Sequence, residues 1–180
     1  MTSGHMTTVT SWSFQGRTGA SSATFSPCGT YRYELRRSWD GNRPLTIFIG
    51  LNPSVADSTR DDNTCRREID FAARLGAGAY CKLNIFGLRS TQAQVLYSHA
   101  EPIGPDNDAA IERVLRAHRD ARLVVAWGAH GGFRGRGDRV GEMVMDIHGS
   151  PECFGLTQGG FPFHPLYLPK TSKLRPWRPR

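Results

Sequence analysis

The chain has 180 residues, of which 38% are hydrophobic and 22% are charged. This length suits one compact domain that buries roughly two-thirds of its unfolded surface, and the composition excludes disorder of the whole chain. No run of about 18 apolar residues occurs, which excludes a membrane-spanning helix. We expect a cytoplasmic monomer with no membrane association and no obligate protein partner.

The charge balance is basic and rich in arginine. The 23 Lys and Arg residues outnumber the 16 Asp and Glu residues, which gives a formal net charge of +7. Twenty of these cations are arginine, the side chain best suited to bidentate phosphate contacts. A polyanionic partner, DNA in particular, is therefore expected, although genomic base composition also raises arginine content.

The four cysteines are far apart in the chain and form no Cys-x-x-Cys pair. This spacing argues against a zinc ribbon and against a compact disulfide framework. We expect buried free thiols in a reducing compartment, with an iron–sulfur cluster as the less supported alternative. No metal and no other cofactor is predicted.

Continuous apolar runs predict strands buried on both faces, and apolar residues at helical spacing between cap signals predict helices. In chain order, the predicted elements are a β-hairpin over 25–39, a strand over 45–51, a helix over 61–76, a strand over 79–88, a short helix over 91–97, a helix over 105–118, a strand over 122–128, a helix over 137–148 and a short strand over 152–156.

Strands that alternate with helices are typical of an α/β protein with a mostly parallel sheet. We therefore predict a three-layer α/β/α sandwich with a short, mostly parallel central sheet and an added N-terminal β-hairpin. One domain should span 23–180. The Ser-, Thr- and Gly-rich segment 1–22 should be disordered or tag-like, since its first six residues resemble a cloning remnant.

Four unusual segments fall where predicted strands end, which is where α/β sheets bind ligands. They are GLNPS (50–54), LNIFGLR (83–89), WGAHG (127–131) and HPLYL (164–168). In the first segment, Gly50 permits tight backbone geometry and Pro53 fixes the direction of the chain. The amide of Asn52 either orients a water or a substrate group or forms an ordinary Asx turn.

The other three segments also carry polar side chains with two interpretations each. Asn84 lies in an apolar strand, where an unpartnered amide costs about 1–3 kcal/mol, so it either reads a ligand such as a nucleobase edge or bridges to a neighbouring loop. His130 either contacts phosphate or caps the next helix. His164, held by Pro165 in a Pro- and Gly-rich loop, either borders an active site or lies on a plain surface loop.

Asp57, Asp61 and Asp62 form an acidic cluster just after Asn52. They offer a candidate catalytic carboxylate, although N-capping of the next helix also explains Asp61 and Asp62. The glycine-rich stretch 131–139 lacks both GxxxxGK[ST] and GxGxxG, so no nucleotide cofactor is predicted.

Taken in order, the four segments resemble motifs of the uracil-DNA glycosylase superfamily. Gly50-Leu51-Asn52-Pro53 resembles the first motif, Gly-x-(Asp/Asn)-Pro, in its asparagine form. LNIFGLR resembles the strand ending in Leu-Asn, whose asparagine reads the pyrimidine edge, and VVAWGAHG resembles the strand that runs into Trp-Gly. HPLYL resembles the His-Pro-x-x-Leu loop that enters the minor groove, except that Tyr167 stands where a small residue or proline is usual.

The stretches NPSVAD, DDNT and HPLYL resemble more closely an uncharacterised bacterial family, the domain of unknown function number 1643. That resemblance implies no activity. The expected function therefore follows from the more distant glycosylase resemblance.

The glycosylase resemblance implies a DNA-base glycosylase-like protein that flips a nucleobase and hydrolyses its N-glycosidic bond. Asn52 would hold the attacking water and His164 would donate to the base oxygen, with Asp57 as a further catalytic candidate. The implied substrate-binding residues are Gly50, Leu51, Pro53, Asn84, Phe86, Pro165 and Leu168, with Phe48 as a second candidate for stacking on the base. The implied DNA-binding residues are His130, Arg134, Arg136, Lys170 and Lys173.

Two alternatives remain open: a non-catalytic nucleic-acid-binding protein, and a hydrolase or binder of a free nucleoside-like small molecule. The glycosylase interpretation requires Asn52, Asn84 and His164 to converge on one cleft. It also places the arginines of 131–139 and of the C-terminal tail along the rim of that cleft.

Overall fold

A computed structural model describes residues 4–180, which form one mixed sheet with helices packed against it. The strands are β1 (Met6–Phe14), β2 (Arg17–Phe25), β3 (Arg32–Ser38), β4 (Leu45–Gly50), β5 (Ala79–Asn84), β6 (Arg122–Val125), β7 (Glu152–Cys153) and β8 (Arg175–Pro176). The helices are α1 (Asn63–Arg74), α2 (Val95–Ser98), α3 (Asn107–Ala117) and α4 (Arg136–Ile147), with short 3₁₀ helices at Ala129–Gly135 and Pro165–Tyr167.

The eight strands follow the order β1-β2-β3-β5-β4-β6-β7-β8. Parallel pairings join β5 to β4, β4 to β6 and β6 to β7, and the other four pairings are antiparallel. The predicted α/β class is confirmed. The sheet as a whole is mixed rather than mostly parallel, because the strands added at both ends pair antiparallel.

Both faces of the central strands are covered by helices. Successive side chains of a strand point to opposite faces, so Ile47 and Ile49 pack in the cluster that contains α3 and α4 residues. Phe48, between them, packs on the other face in the cluster that contains Ile69 and Ala72 of α1. Burial on both faces explains why β4 is a continuous apolar run.

The N-terminal region differs from the prediction of disorder over 1–22. Strands β1 and β2 form an antiparallel hairpin whose turn contains Gln15 and Gly16, both with positive φ. The side chain of Trp12 is buried, and its Nε1 donates to Asp61 Oδ2 at 2.7 Å, which ties the hairpin to the rest of the domain. The Ser- and Thr-rich composition suits a half-exposed strand as well as a loop. Residues 1–3 of the predicted tag lie outside the described residues.

The turn predicted near Cys28 joins β2 to β3, so the predicted hairpin is present. Its first strand, β2, begins earlier in the chain than the predicted start at residue 25. The other predicted strands and helices occur near their predicted positions, and β8 was not predicted. Within residues 4–180, no helix has the length and hydrophobicity needed to cross a membrane.

Candidate functional site

A cleft of about 620 Å³ opens at the carboxyl ends of the parallel strands β4 and β5. Its walls come from the residues after β4, the first turn of α1, the loop after β5 and two histidine-bearing loops. The lining residues include Arg32, Leu51, Asn52, Arg60, Asp61, Asp62, Asn63, Thr64, Cys65, Arg66, Lys82, His130, His164 and Tyr167. The sheet topology therefore brings Asn52 and His164 together although they are far apart in sequence.

Asn52 is half-buried and presents a fixed amide to the cleft. Its Nδ2 donates to the carbonyl oxygens of Pro53 and Ser90, each at 3.0 Å, and more weakly to that of Leu88 at 3.3 Å. Three carbonyl neighbours identify this end of the amide as the NH₂ group. Among the described residues no donor reaches Oδ1, so the oxygen is the end available to a ligand or a water.

His164 precedes the 3₁₀ helix Pro165–Tyr167 and enters the same cleft as a neutral imidazole. Burial, helped by the positive charge of Lys82, lowers the pKa of His164 to about 4. Its Nδ1 accepts a hydrogen bond from the backbone N–H of Leu166 at 3.4 Å, which puts the proton of the neutral ring on Nε2. At neutral pH the side chain therefore offers an uncharged N–H donor.

Asn84 ends β5 beside the cleft and is 1% exposed. Neither its Oδ1 nor its Nδ2 has a hydrogen-bond partner among the described residues. A Cβ atom at Gly50 would lie 3.2 Å from Asn84 Oδ1 and 2.3 Å from Lys82 Nζ, so both side chains pack against this glycine. Asn84 thus lies next to Lys82, which lines the cleft, while Asn84 itself is buried behind the wall.

A buried polar network beneath the cleft was missed by the sequence analysis. Glu68 of α1 accepts hydrogen bonds from Lys82 Nζ and from Tyr80 Oη, the latter at 2.6 Å, and it forms an ion pair with Lys82. Burial raises the pKa of Glu68, and the neighbouring ammonium of Lys82 opposes that rise. A lysine inside an apolar strand was the available signal, because such a charge must find a partner when buried.

The acidic cluster is occupied by structural contacts. The Asp61 carboxylate accepts from Trp12 and forms a buried ion pair with Arg37 at 2.6 Å. The Asp62 carboxylate accepts from the backbone N–H of Cys65 at 2.8 Å and caps α1, as the N-cap alternative stated.

Asp57, the predicted catalytic carboxylate, is not among the residues that line the cleft. Its Oδ1 accepts from the backbone N–H groups of Thr59 and Arg60 at 2.7 and 2.9 Å, and from the Thr59 hydroxyl. Burial alone would raise the pKa of Asp57, but these hydrogen bonds hold it below the ordinary value. The carboxylate therefore shapes its own turn rather than the cleft.

The predicted stacking residues lie in the core. Phe86 is fully buried and packs against the ring of Phe133 at a centroid distance of 5.8 Å. Phe48 is fully buried on the α1 face of the sheet. Both predictions are corrected, since neither ring has a free face.

Of the other predicted substrate-binding residues, Leu51 lines the cleft. Pro53 and Pro165 are buried, and Leu168 packs at the edge of the α1 cluster. Gly50 has no side chain, and its absence leaves room for the side chains of Lys82 and Asn84.

The predicted phosphate-binding residues are mostly engaged elsewhere. His130 lines the cleft and hydrogen-bonds Tyr97 Oη through Nδ1 at 2.6 Å. Arg136 is buried, donates to the carbonyl of Ile85 and pairs with Asp108, which removes it from the candidate phosphate ligands. Arg134 is exposed and donates to a backbone carbonyl outside the cleft.

The C-terminal tail does not form the rim either. Lys170 and Lys173 are exposed and do not line the cleft, and Arg180 pairs with Asp138 at 2.8 Å. The predicted basic rim is therefore corrected. The cations at the cleft are instead exposed Arg60 and Arg66, together with a pair of buried side chains, Arg32 and Lys82.

Helices on both sheet faces and a cleft at the carboxyl ends of parallel strands define an α/β protein with a largely polar cleft at the edge of its sheet. The chain belongs to the family described as Protein of unknown function (DUF1643), which matches residues 32–166. The predicted membership of this family is confirmed, and the match includes every cleft residue named above except Tyr167. No curated protein and no solved structure gives a significant match to the chain.

Proposed function

We propose that this protein is a uracil-DNA glycosylase-like hydrolase that holds a flipped nucleobase in the cleft and cleaves its N-glycosidic bond. One observation carries the proposal. A neutral histidine with a free N–H donor and an asparagine with a fixed acceptor oxygen face the same cleft.

His164 and Asn52 suit the two groups that change charge or bonding in such a reaction, the departing base and the attacking water. When the glycosidic bond breaks, the sugar becomes oxocarbenium-like and the departing base takes the bonding electron pair as negative charge. The Nε2–H of His164 would donate to a base oxygen and stabilise that charge without giving up its proton. Asn52 Oδ1 would accept from the attacking water, whose oxygen forms the new bond to the sugar carbon while its proton passes to the base.

Asn84 supports recognition of a base edge. An amide presents one donor and one acceptor, which matches adjacent carbonyl and imino groups of a pyrimidine. Leaving both ends without a partner among the described residues costs about 1–3 kcal/mol for each group. A base edge would recover that energy once Lys82, whose side chain fills the space beside Gly50, moves aside. The arrangement of helices on both faces of parallel strands is also the one that the glycosylase resemblance implies.

A second candidate is hydrolysis or binding of a free nucleoside-like molecule in the same cleft. The observation that favours it is that Arg136 and Arg180, which were expected on a basic rim, pair with carboxylates away from the cleft. Because those cations are occupied, the described residues form no continuous basic track for a DNA backbone around the cleft. Exposed Arg60 and Arg66 are left to contact a phosphate at the entrance.

Base release from DNA decides between these functions. Oligonucleotides that contain uracil, hypoxanthine or mismatched thymine are incubated with wild type, Asn52→Ala and the control Asp57→Asn, which lies outside the cleft. Asn52→Ala should reduce base release at least about tenfold while DNA affinity stays nearly unchanged, because an oriented water acts mainly in the transition state. Asp57→Asn should retain the activity.

Asn84→Asp adds a test of base selection. The carboxylate keeps an acceptor and loses the NH₂ donor, so the preferred base should change. DNA binding without release of any base by wild type would leave the binding interpretation alone. Release from free nucleosides but not from DNA would favour the small-molecule candidate.

A further inference from the structure

Arg32 is a buried cation in the wall of the cleft. It is the first residue of β3, it is 1% exposed, and its side chain lines the cleft. Its Nη1 donates to the carbonyl oxygen of Ala56 at 2.6 Å, and its Nε has no hydrogen-bond partner in the part of the chain that the structure describes. Within residues 4–180, no carboxylate forms an ion pair with this guanidinium.

The other buried charges near the cleft are compensated. Arg37 pairs with Asp61, and Lys82 pairs with Glu68. Asp62 also lines the cleft, but its carboxylate caps α1. A buried charge without a partner is strongly unfavourable, and within residues 4–180 Arg32 is the buried cation of this cleft that no carboxylate pairs.

Two further features, Lys82 and the first turn of α1, line the cleft with Arg32 and with the Asp62 carboxylate. Burial, followed by the negative charge of Asp62, raises the pKa of the Cys65 thiol to about 12, and the positive charges of Arg32 and Lys82 act against that rise. Asn63 and Thr64 of the same turn line the cleft. The N-terminus of a twelve-residue helix favours an anion.

We propose that Arg32, with Lys82 and the N-terminus of α1, binds a phosphate group, so that the substrate is a nucleotide whose phosphate enters the cleft. Arginine matches a phosphate through two parallel N–H donors. A guanidinium that is 1% exposed is too deep to meet a phosphate that stays on the outside of a duplex. The cleft volume of about 620 Å³ is of the size that holds a small organic ligand.

The phosphate has two possible sources with the same chemistry: the 5′-phosphate of a free nucleotide, or a backbone phosphate of a nucleotide flipped out of a strand. The identity of the base rests on the proposed function, whereas the binding of phosphate does not depend on it. Both sources are therefore included in the test.

The test measures binding by calorimetry for inorganic phosphate, 2′-deoxyuridine, 2′-deoxyuridine 5′-monophosphate and a short single strand with one uracil. The proteins are wild type, Arg32→Gln, Arg32→Lys and the control Arg139→Gln, which removes an exposed arginine of α4 outside the cleft. Wild type and Arg139→Gln should bind the monophosphate at least about tenfold more tightly than the nucleoside. Arg32→Gln should lose that preference, and Arg32→Lys should keep part of it because the charge remains.

Thermal unfolding separates a ligand-binding arginine from a purely structural one. Phosphate should raise the Tm of wild type and of Arg139→Gln but not that of Arg32→Gln. Without phosphate, Arg32→Gln should unfold at nearly the wild-type Tm, since the variant removes an uncompensated charge. A phosphate-induced rise in Tm that persists in Arg32→Gln would overturn the inference.

The outcomes also distinguish this inference from the proposed function. Equal affinity of wild type for the nucleoside and its monophosphate overturns the inference and leaves base release to be judged separately. If phosphate-dependent binding needs Arg32 but no base is released from any substrate, the inference is supported and the proposed hydrolase activity is excluded. Tighter binding of the single strand than of the monophosphate identifies the backbone as the source of the phosphate, and the reverse identifies a free nucleotide.

Discussion

The neutral state of His164 predicts a specific dependence of stability on pH. Burial, together with the charge of Lys82, lowers its pKa from 6.5 to about 4 in the folded protein. Between these two values the unfolded chain binds a proton at this imidazole and the folded protein does not. The free energy of unfolding must therefore fall as pH falls through this window, and the contribution of His164 is fully lost below about pH 4.

The magnitude follows from the width of the window. Each pH unit between the folded and unfolded pKa values is worth ~1.4 kcal/mol. The difference from 6.5 to about 4 gives a loss of about 3 kcal/mol from His164 alone. Such a loss is a large fraction of the stability of a domain of this size.

Urea unfolding of wild type and His164→Asn measures this loss. The asparagine does not titrate, and its amide oxygen can replace Nδ1 as the acceptor for the backbone N–H of Leu166. Other titrating groups are common to both proteins, so the difference between the two stability curves isolates His164. His164→Asn should lose about 3 kcal/mol less than wild type between about pH 7 and pH 4.

Parallel stability curves for the two proteins would refute the reasoning. So would an NMR titration in which the ring proton on His164 Cε1 shifts with a midpoint near its ordinary value of 6.5. Either result would mean that the imidazole is charged in mildly acidic solution. Part of the His164 population would then also be charged near neutral pH, and the donor in the cleft would not be uniformly uncharged.

The remaining predictions concern packing, a buried ion pair and the exposed loop. Gly50→Ala places a Cβ atom 2.3 Å from Lys82 Nζ, so urea unfolding should show a loss of about 1–3 kcal/mol, and an unchanged midpoint would contradict this packing. Asp61→Ala should destabilise by about 3–5 kcal/mol because it leaves Arg37 buried without its partner, and adding Arg37→Met should recover part of the loss. Tyr167, which is 87% exposed, should tolerate Tyr167→Ser with unchanged Tm; weaker binding of DNA but not of nucleoside would show that the loop contacts a strand.

The sequence predicted the parts of the site that follow directly from local pattern and topology. Apolar runs fix β4 and β5, and their carboxyl ends necessarily lie at one edge because the two strands are parallel. Asn52 follows β4, so its arrival at the cleft could be predicted. The stiffness of its loop left the position of His164 open, and only the resemblance of HPLYL to the His-Pro-x-x-Leu loop placed it at the site. In the structure, His164 is among the residues that line the same cleft.

The parts that were missed depend on partners distant in the chain. Arg136 looked like a phosphate ligand in a glycine-rich loop, yet it pairs with Asp108 and is buried. Phe86 looked like a stacking surface, yet the α3 and α4 side of the sheet covers it. Composition alone cannot say which of twenty arginines finds an internal carboxylate. Only the assembled fold separates Arg32, which has none within residues 4–180, from Arg37 and Arg136.

Strand β5 connects the contacts of the core to the wall of the cleft. Residues two apart in a strand point to the same face, so Tyr80, Lys82 and Asn84 all face α1. Glu68 satisfies the first two, and these deeper contacts hold strand and helix together. Asn84 lies nearest the carboxyl end, and neither its Oδ1 nor its Nδ2 has a hydrogen-bond partner within residues 4–180. The polar groups of this strand therefore become less satisfied toward its carboxyl end, which is the end next to the cleft.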